Sequence, residues 1–369
     1  MMRRRPALRI AAACFFACVC LVGIDALLFR TNLYRSILEP DSSTGTFELT
    51  LFREQEFQKR HPNDRLVVTF GDSRFAYLPR LANEITAESG LVLRHAGIGG
   101  SDARTWYYML RELDPTASRY RAVVFGVTDY DDEDEPLNPL LDIRALHYVI
   151  ARLTWADVVP FALSFPDRHL RWEALRGAVL KGIVLQTDIH DFLTHPKERI
   201  HKAKVYRRFY DEWTYGFVET DKTVEGLAID WKNWTVQYPP GADENVRSTV
   251  EANLMRRDDP PDGHMYKFRS EWFGRMIDRY RNSRTKVIFV RLPRGPIARP
   301  EGLVQKPTHS IRDFASRSNV LLAGEHIFEP LEQPALFKDG DHLNRAGIAR
   351  FSPMLAREIA RLLREAHAF

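Results

Sequence analysis

Three residues far apart in the chain carry the chemistry of nucleophilic catalysis. Ser73 closes the tripeptide Gly71-Asp72-Ser73, while Asp339 and His342 sit near the other end in Asp339-Gly-Asp-His342. A serine hydroxyl becomes a nucleophile when an imidazole takes its proton. A carboxylate three residues before His342 can fold back, accept the Nδ1 proton and leave Nε2 facing Ser73. Asp341, adjacent to His342, is expected to point elsewhere. The backbone N–H groups of Ser73 and Gly100 are candidate donors to a developing oxyanion. Taken singly, Gly-Asp-Ser is an ordinary turn, His342 an ordinary helix-entry residue and Asp339 an ordinary loop acceptor. Their joint occurrence, each at a strand end or helix start, points to acyl transfer.

The elements that must position these residues follow from periodicity. The β-branched run 66–70 reads as a buried strand that turns at Gly71 into Ser73. A helix is expected over 78–89, ended by Gly90, then a strand over 91–95. The loop 96–102 contains Gly97, Gly99 and Gly100, which let backbone N–H groups approach a ligand. A helix over 103–113 and a strand over 122–127 come next, the latter running into Thr128 and Asp129. The acidic run 130–135 is expected to be a solvated loop rather than a cation site, because its carboxylates lack the alternate spacing of hard-cation loops. Two more strands are expected over 286–291 and 319–323. Five strands alternating with helices imply an α/β fold with a doubly wound parallel sheet. The last helix is expected to be split at Pro353, with Ser352 as a fresh cap. Between the third and fourth strands, 136–284 reads as a mostly helical, aromatic-rich insertion capping one face of the sheet. Its aromatics include Trp155, Trp172, Trp213, Tyr215, Trp231 and Trp272. Such rings stack on sugars or fill a core.

The N-terminus has a different character. Arg3, Arg4, Arg5 and Arg9 flank an apolar run from 8 to 29 that Asp25 alone interrupts. That length crosses a bilayer, and the arginines place the chain after residue 30 on the extracytoplasmic side. No small-x-small cleavage site comes after the run, so a retained anchor is preferred to a cleaved signal peptide. All three cysteines (Cys14, Cys18, Cys20) lie within this run, which leaves the rest without a disulfide or thiolate metal site. The formal net charge is +4, from 53 basic and 49 acidic side chains. Residues 1–30 hold five Arg and one Asp, so the remainder carries 48 of each. That balance argues against a nucleic-acid partner. The expected organisation is a tip and membrane anchor (1–30), a linker (31–64), a catalytic domain (65–135 and 285–369) and the insertion (136–284). No cofactor or metal is expected.

Gly71-Asp-Ser73, the Gly97-Ile-Gly-Gly100 loop and Asp339-Gly-Asp-His342 resemble the first, second and last sequence blocks of the SGNH/GDSL hydrolase superfamily. The resemblance covers 66–130 and 286–365, not the insertion. It implies a flavodoxin-like three-layer α/β/α sandwich and a Ser-His-Asp triad acting on esters. Carried over, Ser73 is the nucleophile, Asp339 and His342 complete the triad, and Gly100 is an oxyanion donor. One block departs. The family has Gly-x-Asn-Asp after the third strand, whereas this chain has Gly126-Val-Thr128-Asp129. Thr128 must then replace the Asn donor, another group such as Arg74 must help, or hydrolysis is weak. Arg74 and Arg291 are candidate substrate-binding residues.

The anchor, this departure and the Asp-His-Leu-Asn-x-x-Gly ending resemble a narrower group, the membrane-anchored SGNH proteins of bacterial envelopes. Those work beside a membrane-bound O-acyltransferase to acetylate polysaccharides. The expectation is therefore O-acetyl transfer to a polysaccharide acceptor at the periplasmic side of the inner membrane. The alternatives are an esterase, and a non-catalytic polysaccharide-binding or acyltransferase-partner subunit.

Overall fold

The β-branched runs pair into one parallel sheet. In a computed structural model, which describes residues 4–75, 77–132, 139–209, 220–255, 263–300, 302–303 and 306–366, its strands are β1 (Arg65–Phe70), β2 (Leu91–His95), β3 (Tyr120–Val127), β4 (Lys286–Arg291) and β5 (Val320–Leu322). Their spatial order is β2-β1-β3-β4-β5, and every neighbouring pair is parallel. The chain passes from β1 to β2 on one side and then places β3 on the other. The carboxyl ends of β1 and β3 therefore flank the switch point where open α/β sheets bind ligands.

Both faces of the sheet are covered, which explains why the strands are apolar throughout rather than alternating. Val67, Leu93, Val124, Ile288 and Val290 pack with Ile348, Phe351, Leu355 and Ile359 of the helix Arg345–Glu365. On the opposite face Phe125 and Phe289 meet Trp106 of the helix Ala103–Leu113 and Phe273 of the helix His264–Arg279. Ring centroids there lie 5.0 to 6.0 Å apart. Pro353 does not split the last helix. Ser352, rather than capping a new one, donates to Ile348 O (2.8 Å) and accepts from Leu78 N–H (2.8 Å). Burial of Phe351, Leu355 and Ile359 on the same stripe holds the helix through the missing N–H.

The chain divides into two compact units, the described residues of 1–52 with 138–210 and those of 53–137 with 211–369. The expected linker is mostly ordered, with a helix over Ser43–Arg60. Its polar composition misleads because the polar groups are paired. Glu48 pairs with Arg152 (2.6 Å), and Glu54 with Arg94 (3.0 Å) and Arg53 (2.9 Å), while Phe47 and Leu51 are fully buried.

The expected insertion is not one body. Its first part forms a helical unit with the N-terminus. Its second part joins the sheet unit through the helix Glu244–Asn253, whose Val246 and Val250, with Leu254, enter the sheet's core. It also adds a small antiparallel pair, Ala228–Asp230 with Thr235–Gln237. Trp272 is core, packed near Tyr107 and Tyr108. Trp213 and Tyr215 lie outside the described residues.

Among the described residues one helix, Arg4–Phe29, is long and apolar enough to cross a membrane, with the 21 residues Arg9–Phe29 forming the apolar span.

Candidate active site

Ser73 stands in a tight turn beyond β1. Phe75 N–H donates to Asp72 O (3.1 Å), and the Asp72 carboxylate accepts from Arg74 N–H (2.9 Å) and from the Arg74 guanidinium (2.6 Å). Burial works against the Asp72 charge, but Arg74 outweighs it and holds the carboxyl below its usual range. The turn has no room for side chains on either flank. A Cβ on Gly71 would lie 2.3 Å from the Phe75 side chain, and one on Gly97 would lie 2.4 Å from Gly71 O. This close approach seats the loop after β2 against the turn, so that a Cβ on Gly99 would lie 3.6 Å from Ser73 Cβ. Gly100 comes next with φ +68°, in a turn closed by Ser101 N–H donating to Ile98 O (3.1 Å).

The base and acid arrive from the turn before the last helix. His342 Nε2 lies 2.8 Å from Ser73 Oγ, and Nδ1 lies 3.0 Å from each oxygen of Asp339. With the imidazole neutral, Nδ1–H donates to Asp339 and Nε2 accepts from the Ser73 hydroxyl. Asp339 Oδ1 also accepts from the backbone N–H groups of His342 (2.8 Å) and Asp341 (3.1 Å), which curls the turn around its carboxylate. That curl overturns one expectation. Asp341 does not point away; its Oδ1 lies 2.7 Å from the same Nδ1, a charge contact out of line for a hydrogen bond. Burial alone would lower the imidazole pKa. The two carboxylates outweigh burial and raise it to about 9. Burial would likewise raise the Asp339 carboxyl, but the donors around it lower it to about 2.

The helix Glu244–Asn253 clamps this turn, which no sequence pattern foretold. Asn245 Nδ2 reaches Asp339 Oδ2 (3.4 Å), and Thr249 Oγ1 accepts from Gly340 N–H (2.9 Å). Gly340 lies so close that a Cβ would be 2.5 Å from the backbone of Thr249 and Val250. Behind it, buried Asn344 caps the last helix through Gly347 N–H (3.0 Å). Its amide donates to Ala335 O (2.9 Å) and Lys222 O (3.1 Å).

A cavity of about 840 Å³ opens beside the turn, lined among others by Arg74, Thr128, Arg294, Ile297 and Arg299. Thr128 and Arg74 both line it, while Ser73, Gly100 and His342 do not. Arg291 does not line it. Its guanidinium is 1% exposed and donates to Glu332 (2.8 Å), Glu329 (2.9 Å) and Glu325 O (2.6 Å), which makes it an internal tie rather than a substrate contact.

The acidic run after β3 is not a solvated loop either, as far as it is described; residues 133–135 lie outside. Asp132 is 1% exposed and accepts from Ser310 N–H (2.8 Å), Ser310 Oγ (2.6 Å), Thr308 Oγ1 (3.0 Å) and Arg269 (3.1 Å). Asp131 pairs with Arg312 (2.5 Å) and His309 (2.9 Å), and Asp129 with Lys306. The cations come from segments remote in sequence, so the run alone could not reveal them.

No protein-family model matches the chain, and no curated protein matches it.

Proposed function

We propose that the protein performs serine-dependent acyl-ester chemistry, carried by a single observation: Ser73, His342 and Asp339 stand in hydrogen-bonded series at the switch point of the sheet. Ser73 Oγ attacks the ester carbonyl and His342 Nε2 takes its proton. The imidazolium that forms is stabilised by Asp339 and then protonates the departing alcohol. The Ser73 and Gly100 N–H groups and the Thr128 hydroxyl serve the oxyanion. A second alcohol then attacks acyl-Ser73, His342 again shuttling the proton. We read that acceptor as a hydroxyl of an envelope or secreted polysaccharide. The cavity beside Arg74 and Thr128 has the volume of a small-molecule site, and its lining mixes charged groups such as Arg294 and Arg299 with apolar ones such as Leu254 and Ile297, which suits the polar edges and apolar faces of a sugar. Water as acceptor gives the esterase reading.

The strand order matches that of flavodoxin-like folds. Together with the Gly-Asp-Ser and Asp-x-x-His blocks, it supports a flavodoxin-like sandwich of the SGNH type. The arginine-rich start and apolar helix support an anchor with the catalytic unit outside the cytoplasm, where a membrane-bound O-acyltransferase would supply acyl groups.

The test is release from an aryl acetate with and without an oligosaccharide acceptor, against Ser73→Ala. Ser73-dependent transfer of acetyl to the sugar, read by mass spectrometry, is the expected result. Ser73-dependent release into water alone identifies an esterase. No Ser73-dependent release with any acyl donor sinks the catalytic reading and leaves a binding subunit.

A further inference from the structure

Asp25 lies inside the apolar span, about four residues or ~6 Å along the axis from its end at Phe29. A lone carboxylate at that depth in lipid is costly and needs partners. The first unit supplies them. Asp25 is buried and accepts from the backbone N–H groups of Lys181 (3.1 Å) and Gly182 (2.8 Å). The approach is close: a Cβ on Gly182 would lie 3.2 Å from Asp25 Oδ1 and 3.3 Å from the Phe29 ring. One turn on, Arg30 donates to Leu153 O (3.0 Å) and Ala178 O (2.5 Å), and its guanidinium lies 3.6 Å over the Trp155 ring. Whatever depth the end of the span reaches, residues 153–155 and 178–182 reach it too.

The same unit exposes several large apolar side chains close to those residues in the chain. Trp155, Val159 and Leu163 recur at every fourth position along one helical face, and each is more than half exposed. Trp172, on the next helix, is 59% exposed, and Ile183, beside the Asp25 contact, is over a third exposed. Water-facing surfaces seldom gather large apolar groups in this way, and tryptophan beside a membrane span is the usual occupant of the lipid–water interface.

We propose that the face carrying Trp155, Val159, Leu163, Trp172 and Ile183 is seated in the interface of the bilayer that the helix Arg4–Phe29 crosses. The first unit is then a half-submerged platform, not a water-borne body on a stalk. This rests on the helix spanning a membrane and is independent of the acyl-transfer reading.

The test uses the full-length protein in phosphatidylcholine vesicles. Tryptophan emission is quenched either by lipids brominated on the acyl chain or by aqueous iodide, and compared with Trp155→Phe/Trp172→Phe. The expected result is strong bromolipid quenching of the native protein, most of which is lost in the double variant, with no matching loss in iodide quenching. Val159→Ser/Leu163→Ser keeps both indoles at positions already exposed. It should shift their emission to longer wavelength and weaken the bromolipid effect. Equal bromolipid quenching in native and double-variant protein overturns the proposal. Extra iodide quenching in the native protein would then put the face in water, and none would put it against a second copy or another protein. Release of the native chain by alkaline carbonate also overturns it, by removing the span on which it rests.

Discussion

Two clusters in the sheet unit bring carboxylates together, and they do opposite things with them. Around Asp129, Asp131 and Asp132 the partners are Lys306, Arg312, Arg269, His309 and backbone or hydroxyl donors; His309 titrates, but each carboxylate also has a Lys or Arg whose charge persists at neutral pH. Around Asp339 and Asp341 the partner is an imidazole, whose proton can leave and whose far nitrogen meets an alcohol. Asp339, Asp341 and His342 place three potential ligand atoms within 4.8 Å of one another, and so do Asp129, Asp131 and Glu325. An acidic cluster is therefore uninformative until its counter-charge is known: a permanent cation makes a fastener, and a titratable one makes a switch for a proton.

The contrast breaks most sharply under Asp339→Asn and Asp132→Asn. Asp339→Asn presents Nδ1 with the wrong partner and should cost about 10³- to 10⁴-fold in Ser73-dependent turnover of an aryl acetate. Some stability should be lost with it, since the charged pair contributes to folding. Asp132→Asn should cost stability alone. It leaves Arg269 short of its buried partner and should cost about 3 kcal/mol in denaturant unfolding, while turnover per folded molecule stays near native. If Asp132→Asn abolished turnover in folded protein, the two clusters would not be separable.

The oxyanion side gives the next effect. Thr128→Val keeps the shape and deletes the hydroxyl. A loss of about 10²-fold in turnover is expected if that hydroxyl donates to the transition state. An unchanged rate would assign the donor to backbone N–H groups alone.

Asp341→Asn is the subtlest. With the imidazole raised to about 9, most His342 is protonated at neutral pH, so turnover should climb with pH to a plateau near that value. Removing one of the two carboxylate charges should move the limb to lower pH and raise the neutral-pH rate by roughly three- to tenfold, with little change on the plateau. The stability that the His342–Asp339 pair contributes has the matching window. For the imidazole it is full below 6.5 and lost as pH rises through about 9. For the carboxylate it is present above 3.8 and lost as pH falls through about 2.

How much of the molecule was legible in the sequence depends on the range of the interaction. β2, β4 and the helix Ala103–Leu113 lie where apolar runs and flanking glycines put them, since those signals are local. Ser73, Asp339 and His342 were legible because a triad needs three residue types at recognisable turns. Asn245 and Thr249 were not, because their role exists only once a helix from mid-chain lies against the turn at Gly340. Asp341 was misread because adjacency in sequence does not fix direction in a turn that curls around one carboxylate. The helix Ser43–Arg60 and the acidic run were misread for a common reason. Composition registers charge as solvation, and Glu54 and Asp132 are charged and buried.

The clamp at Gly340 also bears on synthesis. Ser73 is translated early, but the imidazole that would ionise it and the helix that aims that imidazole come from 244–253 and 339–342. A chain whose synthesis has not yet passed His342 holds Ser73 as an ordinary alcohol, without the hydrogen-bonded series on which the proposed acyl chemistry depends. The helix 244–253 waits in the same way for the turn at Gly340 that it clamps.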